Sequence, residues 1–401
     1  GCYLNGNTVF FNDGGYGSCS SNSQCICTSG FGNGAKSLIS DNSTSYGKPS
    51  IDAVVKDSSG SEDAKIELST AGGTRVILKG DNFGPARKNS SHLSPTYATY
   101  CNLLPNATEC LEDCSYVTST CTVISHTMIE CFSSRSKAGC KRKGLRWRVT
   151  VEGHSSDFSN AAINFKKANI SDIVSPKKYS LNTEGGQDIL LNGSDFGSLN
   201  ETLISAIYKN DLTNVSYTAS GCAVIKSDIQ IRCYTVPGMG KNYSWTLKIV
   251  DQEGVPSLDS VSYSPPIISG VSVLGDGNLS SLPTNGSKLM LNISGSNFGP
   301  ADTKLDLFKL NLIGAYSNGS VAWTSKKGAI SVGFSNVLMS SIDGVGRNFY
   351  FQIEVAGQVS PTFNRLVHFS PPSISSSNIS VDGINTTGGE IIEFFGDNFG
   401  V

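Results

Sequence analysis

Gly72-Gly73-Thr74-Arg75-Val76-Ile77-Leu78-Lys79-Gly80-Asp81-Asn82-Phe83-Gly84 decides how the chain is read, because a close copy of it returns three times. The copies run from Gly185 to Gly197 (GGQDILLNGSDFG), Gly286 to Gly299 (GSKLMLNISGSNFG) and Gly388 to Gly400 (GGEIIEFFGDNFG). Each reads as a glycine turn, a short strand with apolar residues at alternate positions, and a second tight turn closed by Phe-Gly. Val76 and Leu78 point one way, and Arg75, Ile77 and Lys79 the other. The same phase recurs in Ile189 and Leu191, Leu291 and Ile293, and Ile392 and Phe394, which are therefore the expected core positions. The third copy departs, with a longer lead-in and no Gly-Gly pair.

Phe83, Phe196, Phe298 and Phe399 lie roughly a hundred residues apart, too long a period for a solenoid and right for a tandem of small β-sandwiches. A chain of 401 residues also suits several domains rather than one. The expected division is a cysteine-rich module over 1–48 and repeats over 49–168, 169–265 and 266–371, with the start of a fourth over 372–401. A lone hairpin buries no sandwich core, so the fourth repeat is expected to continue past Val401, with a membrane anchor beyond. No run of about 18 apolar residues is present to span a bilayer.

The glycine pair, the apolar strand and the Gly-x-Asn/Asp-Phe-Gly turn resemble those of the IPT/TIG domain, an immunoglobulin-like E-set sandwich. The lead-ins match as well: Pro49 to Ile51, Ser264 to Pro266 and Ser370 to Pro372. The resemblance covers about residue 49 to the end, and it implies an all-β fold of tandem immunoglobulin-like sandwiches.

The formal net charge is −2 and charged residues make up 16%, so there is no bulk electrostatic attraction for nucleic acid. The 43 glycines and abundant Ser and Thr, without long amphipathic helical patterns, fit a turn-rich all-β protein. Twelve cysteines lie within the first 233 residues, with no Cys-x-x-Cys pair and no His at ligand spacing. They point to disulfides and an oxidising compartment rather than to a metal.

Asn-x-Ser/Thr acceptors give a second compartment signal. They occur at Asn42, Asn89, Asn106, Asn169, Asn192, Asn200, Asn214, Asn242, Asn278, Asn285, Asn292, Asn318, Asn378 and Asn385. Composition alone yields about six or seven, so N-linked glycans are expected on several of them.

Cys2, Cys19, Cys25 and Cys27 belong to the opening module. Cys25-Ile26-Cys27-Thr28-Ser29-Gly30-Phe31 resembles the second half of an EGF-like domain, but no closing cysteine follows before Cys101, and an unclassified cysteine loop is the alternative reading. Four cysteines allow three pairings. In the repeats, Cys121 to Cys131 parallels Cys222 to Cys233, each pair bracketing about ten residues of hairpin, so disulfides Cys121–Cys131 and Cys222–Cys233 are expected. Cys101, Cys110, Cys114 and Cys140 are left to staple an insertion, their pairing open. Phe83 lies 38 residues before Cys121 whereas Phe196 lies 26 before Cys222, which makes the insertion about a dozen residues long. Inserted loops at the end of a sandwich commonly carry recognition. Residues 85–120 with the N-terminal module are accordingly the expected specificity surface, with Arg87, Lys88, His92, Tyr97, Tyr100, Leu103 and Leu104 as partner contacts.

Further strands follow in each repeat: Trp147, Val149, Val151; Trp245, Leu247, Ile249; Phe351, Ile353, Val355, each opening on a core aromatic. The basic run KRKGLRWR after Cys140 alternates with apolar residues and reads as a solvated strand face rather than a heparin or nucleic-acid patch. Closing strands carry Ile163 and Phe165, Val261 and Tyr263, Val367 and Phe369. Pro265-Pro266 and Pro371-Pro372 at the joints restrict the backbone and predict a semi-rigid tandem.

No catalytic arrangement is legible. His92, His126, His154 and His368 are scattered, and no phosphate-cradling motif exists. Asp81, Asp195 and Asp397 beside the Phe-Gly turns are turn formers rather than calcium ligands, since Ser296 and Asn297 stand in the third copy. No cofactor, metal site or enzymatic activity is expected. Two functions remain: a cell-surface recognition ectodomain, or a carbohydrate-binding module. The second needs an exposed aromatic platform, whereas Trp147, Trp245 and Trp323 fall mostly on core-facing positions. IPT/TIG units of DNA-binding Rel-type proteins are disfavoured by the cysteines and sequons. The Asn/Ser-rich composition, repeats, cysteine-rich first unit and sequons are similar to those of the tiger proteins of social amoebae. That resemblance implies adhesion and self/non-self discrimination through heterophilic binding to a related protein on a neighbouring cell, followed by signalling.

Overall fold

The computed structural model describes residues 2–5, 8–11, 46–56, 66–86, 96–103, 109–110, 112–118, 120–286, 289–301, 305–315, 319–325, 329–379 and 383–400. Its regular structure is all β apart from short 3-10 turns. Two compact units divide the chain, Gly1–Lys166 and Lys167–Val401.

In the first unit, one sheet orders strands Ser50–Val55, Arg75–Asp81, Met128–Phe132 and Thr120–Ser125. The other orders His154–Ser155, Leu145–Val151, Tyr97–Asn102 and Tyr116–Val117. In chain order this is A-B-E-D facing G-F-C-C′, the immunoglobulin-like arrangement. The apolar side chains alternate inward as the two-residue period requires. Val76, Leu78 and Phe83 from one sheet meet Ala98, Tyr100, Trp147 and Val149 from the other in a single core.

The second unit repeats the arrangement twice. Asn169–Val174, Asp188–Ser194, Gln230–Tyr234 and Ser220–Lys226 face Val215–Thr218, Ile204–Asn210, Tyr243–Ile249 and Gln252–Glu253. Then Ile267–Leu274, Met290–Ser296, Asn336–Ser340 and Ala329–Ser331 face Val321–Thr324, Phe308–Gly314, Phe349–Val355 and Gln358–Val359. Each pair of sheets encloses its own core. A hairpin of Ser373–Ser377 and Phe394–Asp397 follows. The fold is thus a tandem of immunoglobulin-like sandwiches.

The repeated motif explains why the sequence folds this way locally. In all four copies the first strand bulges by one residue against the second, at Ile51/Ala53, Ile170/Asp172, Ile268/Gly270 and Ile374/Ser376. A Cβ on Gly193 would lie 1.9 Å from the Asn169 carbonyl oxygen and 2.6 Å from the Phe196 ring, and one on Gly295 would meet Ile267 and Phe298 in the same way. Only glycine fits beneath the ring. The next turn holds Asn82, Asp195, Asn297 and Asn398 at φ of 62°, 60°, 64° and 62°, a left-handed conformation that Asn and Asp tolerate best. The recurrent acidic and amide residues here are turn formers: Asp81 Oδ1 accepts from the Asn82 N–H at 2.9 Å, and Asn82 and Asn297 donate to the Lys48 and Pro265 carbonyls.

Ile77 faces away from Val76 and Leu78, as alternation expects, and is nevertheless 0% exposed, with its cross-strand partner Val55 5% exposed. Two expectations need correction. Arg142 in the basic run is 2% exposed rather than solvated, its carbonyl accepting from the Phe165 N–H at 2.8 Å where the closing strand packs. Leu145, Trp147 and Val149 do alternate inward against half-buried Arg146 and Arg148. Ile392, Phe394 and Phe399 are 37%, 52% and 51% exposed, since among the described residues no second sheet faces the last hairpin.

Candidate functional site

The first sandwich departs from the other two on the outer face of its second sheet. Along Tyr97–Asn102, Ala98 and Tyr100 point inward and are 0% exposed, so Tyr97, Thr99 and Cys101 point outward. Cys101 is bonded to Cys110 and Cys114 to Cys140. Cys101–Cys110 therefore clips the inserted segment onto the outer face of its own sheet, and Cys114–Cys140, packed with the core, ties it to the loop after Phe132. Cys101 is 0% exposed although it stands on the outer face. Cys121–Cys131 and Cys222–Cys233 bridge neighbouring strands of the opposite sheets, with Cα atoms 4.1 Å apart in both.

Between the clipped segment and the sheet lies an open groove of about 620 Å³, lined by Thr99, Glu109, Cys110, Glu112, Ser115, Val117, Lys137, Arg148 and Phe158. Val117 is 53% exposed. The Arg148 guanidinium lies over the Phe158 ring, 4.1 Å from its centroid, a cation–π contact that keeps the long side chain flat. Lys137 Nζ donates to the Asp113 carbonyl at 3.2 Å, which ties the loop after Phe132 to the insertion. Lys48 Nζ sits 2.7 Å from Asp157 Oδ1 beside Phe158, and its hydrogen bond holds the Asp157 carboxyl below the usual carboxylate range. Two acids, two bases, a valine and an aromatic edge on an open face make a mixed surface of the kind proteins use to meet proteins. Among the described residues no group of three or more His, Cys, Asp or Glu could hold a metal ion. No described helix is long and apolar enough to cross a membrane.

Of the contacts expected from sequence, Tyr97 lies on this face, 36% exposed, and Leu103 is half-buried just past the other end of the same strand. Tyr100 is corrected: it is a core residue, stacked 4.3 Å from Trp147 and 5.0 Å from Tyr116. It donates to the Ser134 carbonyl and accepts from the Ser134 N–H, and burial pushes its hydroxyl up to about 12. Arg87, Lys88, His92 and Leu104 lie outside the described residues, as do Cys19, Cys25 and Cys27; of Cys2 only the backbone, in a hairpin with residues 8–11, is described. Sequence reasoning missed Lys137, Arg148 and Phe158, which reach the groove from separate segments. The alternation that puts Arg148 opposite Trp147 was the one available signal.

Ten of the sequons are described. Asn169, Asn200, Asn214, Asn242, Asn278, Asn285, Asn378 and Asn385 are exposed; Asn192 and Asn292 are half-buried on the outer faces of the second strands of the second and third sandwiches, two positions out of step. Asn42, Asn89, Asn106 and Asn318 lie outside the described residues.

No protein-family model matches the chain, and no curated protein does. Solved structures match it at low similarity. One, described as containing a xylogluco-oligosaccharide, matches at 13% identity over 83% of this chain and 65% of its own, with a TM-score of 0.27; this chain therefore spans just under two thirds of its length. The chicken CNTN1 FN1-FN3 domains match at 10% identity over 81% of this chain and 100% of theirs, with a TM-score of 0.20. FdeC, an Escherichia coli adhesin, matches at 11% identity over 82% and 100%, with a TM-score of 0.21. Likenesses at these scores carry no assignment of function, which has to be argued from the chain's own residues.

Proposed function

We propose that this chain is the extracellular part of a cell-cell recognition protein of IPT/TIG type, similar to the tiger proteins, that binds a matched IPT/TIG protein on a neighbouring cell. Four domains over 49–168, 169–265, 266–371 and 372 onward follow the cysteine-rich module of 1–48, and a C-terminal anchor outside this sequence holds them at the cell surface. The observation that carries the reading is the disulfide-clipped insertion of the first sandwich, which builds a groove of about 620 Å³ beside its own sheet. The four disulfides among the described residues fit an oxidising compartment.

The specificity surface is the outer face around Val117 and Arg148 together with residues 85–120. A stable contact needs about 800 Å² per partner, so the sheet face joins the insertion in making it. N-linked glycans at Asn192, Asn200, Asn278, Asn285 and Asn292 screen the second and third sandwiches and leave the first as the docking end. The carbohydrate-binding alternative loses support from Trp147 and Trp245, both 0% exposed, which offer no platform. The test exchanges residues 85–120 between allelic forms and measures binding of the chain to cells. Partner preference is expected to move with the segment; unchanged preference overturns the proposal, and specific binding on a glycan array would establish the carbohydrate reading.

A further inference from the structure

Loops Gly238-Met239-Gly240 and Gly344-Val345-Gly346 occupy the same place, between the sixth and seventh strands of the second and third sandwiches. Met239 belongs to the second sandwich by sequence, yet it is 1% exposed and buried in the core of the third, in one cluster with Phe298, Phe308 and Ala356. It sits against the Phe-Gly turn: a Cβ on Gly299 would lie 2.7 Å from Met239 Sδ. Around it, Gln358 Nε2 donates to the Tyr263 carbonyl at 2.8 Å, and Thr183 Oγ1 lies 3.4 Å from Asn297 Oδ1.

The second sandwich holds this loop from below. Tyr243 and Tyr217 both donate to the Met239 carbonyl, and the Met239 N–H donates back to the Tyr217 hydroxyl at 3.0 Å. Tyr263 donates to the Val236 carbonyl at 2.6 Å. The flanking glycines are required by space: a Cβ on Gly238 would lie 2.6 Å from the Tyr263 ring, and one on Gly240 would lie 2.6 Å from the Tyr243 hydroxyl and 3.0 Å from the Ala356 Cβ.

The third sandwich repeats the geometry toward the last hairpin. A Cβ on Gly344 would lie 2.6 Å from the Phe369 ring, and one on Gly400 would lie 2.8 Å from Val345 Cγ1. Val345 meets Gly400 as Met239 meets Gly299. In the first sandwich the loop between Cys131 and Trp147 is four residues longer than that between Cys233 and Trp245, and Arg142 takes the place of Gly240.

We propose that the Gly-apolar-Gly loop is an interdomain latch, whose apolar residue enters the next sandwich at the glycine of its Phe-Gly turn and fixes one module to the next. The surface around Val345 is accordingly the docking site for the fourth module of this same chain. The latch is independent of any partner outside the chain. Its strength follows from burial of a flexible, polarizable side chain in an apolar socket, and its geometry from the hydroxyl-anchored loop behind it.

The test uses the full chain with Met239→Ser and Met239→Leu, followed by calorimetry and small-angle scattering. In the parent chain the second and third sandwiches are expected to melt in one transition. Met239→Ser is expected to split it in two and to broaden the distribution of maximum dimensions, while Met239→Leu keeps the parent behaviour. Hydrogen exchange within Tyr243–Ile249 and Phe349–Val355 reports whether both cores remain folded. A second variant, Gln358→Ala, acts from the third sandwich without altering the loop, and a smaller splitting in the same direction is expected. A single unchanged transition in Met239→Ser, or splitting by Met239→Ser with none by Gln358→Ala, overturns the latch.

Discussion

The second and third sandwiches pair the same strands in the same order and fill them with different chemistry. Tyr208, opposite Trp245 and Tyr217, corresponds to Leu312, opposite Phe351 and Trp323. Tyr243, opposite Val261, corresponds to Phe349, opposite Val367. Tyr263 and Phe369 each bridge to a leucine, Leu181 and Leu282. Four tyrosines of one core thus become Leu, Trp, Phe and Phe in the other, and the strand-bridging disulfide Cys222–Cys233 has no counterpart, since no cysteine follows Cys233. What the two share is inward alternation, the bulged first strand and the glycine beneath the phenylalanine ring. The frame therefore depends on those features, and hydroxyl networks, disulfides and insertions are additions to it.

The largest effect is expected where the shared frame is struck. Gly193→Val and Gly295→Val each force a side chain into a carbonyl oxygen and a ring, and should cost their own sandwich about 3 kcal/mol or more. Each variant should lower or split the calorimetric transition that the second and third sandwiches share; parent-level stability at either position would break the comparison.

Next comes alkaline pH. Burial pushes the hydroxyls of Tyr208, Tyr217, Tyr243 and Tyr263 up, whereas an unfolded tyrosine ionises near about 10. Below that pH both states keep the proton and stability is intact. Above it the unfolded chain releases protons that the folded core retains, so stability falls as pH rises. Pulse proteolysis from about pH 9 to about pH 11, with cuts mapped by mass spectrometry, should open residues 169–265 before 266–371.

Reduction should be milder and equally one-sided. Loss of Cys222–Cys233, which closes a loop of 11 residues, should lower the second sandwich by ~2 to 3 kcal/mol and remove no bond from the third. The smallest effect is that of Tyr263→Phe, which removes a hydroxyl bonded to Tyr208 and Val236 and makes the second core more like the third. Denaturant titration should find a loss of about 1 kcal/mol.

Much of the frame was legible because its signals are local. A period of two fixes which side chains face together, and Phe-Gly turns mark strand ends within a few residues. Cys121 and Cys131 lie opposite each other because a hairpin joins them directly. Ile77 was placed on the correct face, but its burial was not legible, because alternation separates two faces and does not say that both are covered. Tyr100 was misplaced because its strand, Tyr97–Asn102, carries an aromatic on each face, and only pairing with Trp147, 47 residues on, decides which is inside. The groove was half legible for the same reason: Glu109, Glu112 and Val117 lie within the insertion, while Lys137, Arg148 and Phe158 arrive through long-range register. Met239 reads as a loop residue until the neighbouring sandwich supplies its socket.

If the frame is common to all three sandwiches, recognition belongs to what only the first adds. Glu112→Arg with Val117→Arg changes two exposed residues on the groove of the first sandwich, and Val321→Arg with Leu366→Arg makes a matched change on the outer sheet of the third. Binding of each variant to cells bearing the partner, measured beside the parent chain, is the most direct test. The account predicts loss of binding for the first pair and parent-level binding for the second; retained binding with Glu112 and Val117 replaced, or loss only with Val321 and Leu366 replaced, would contradict it.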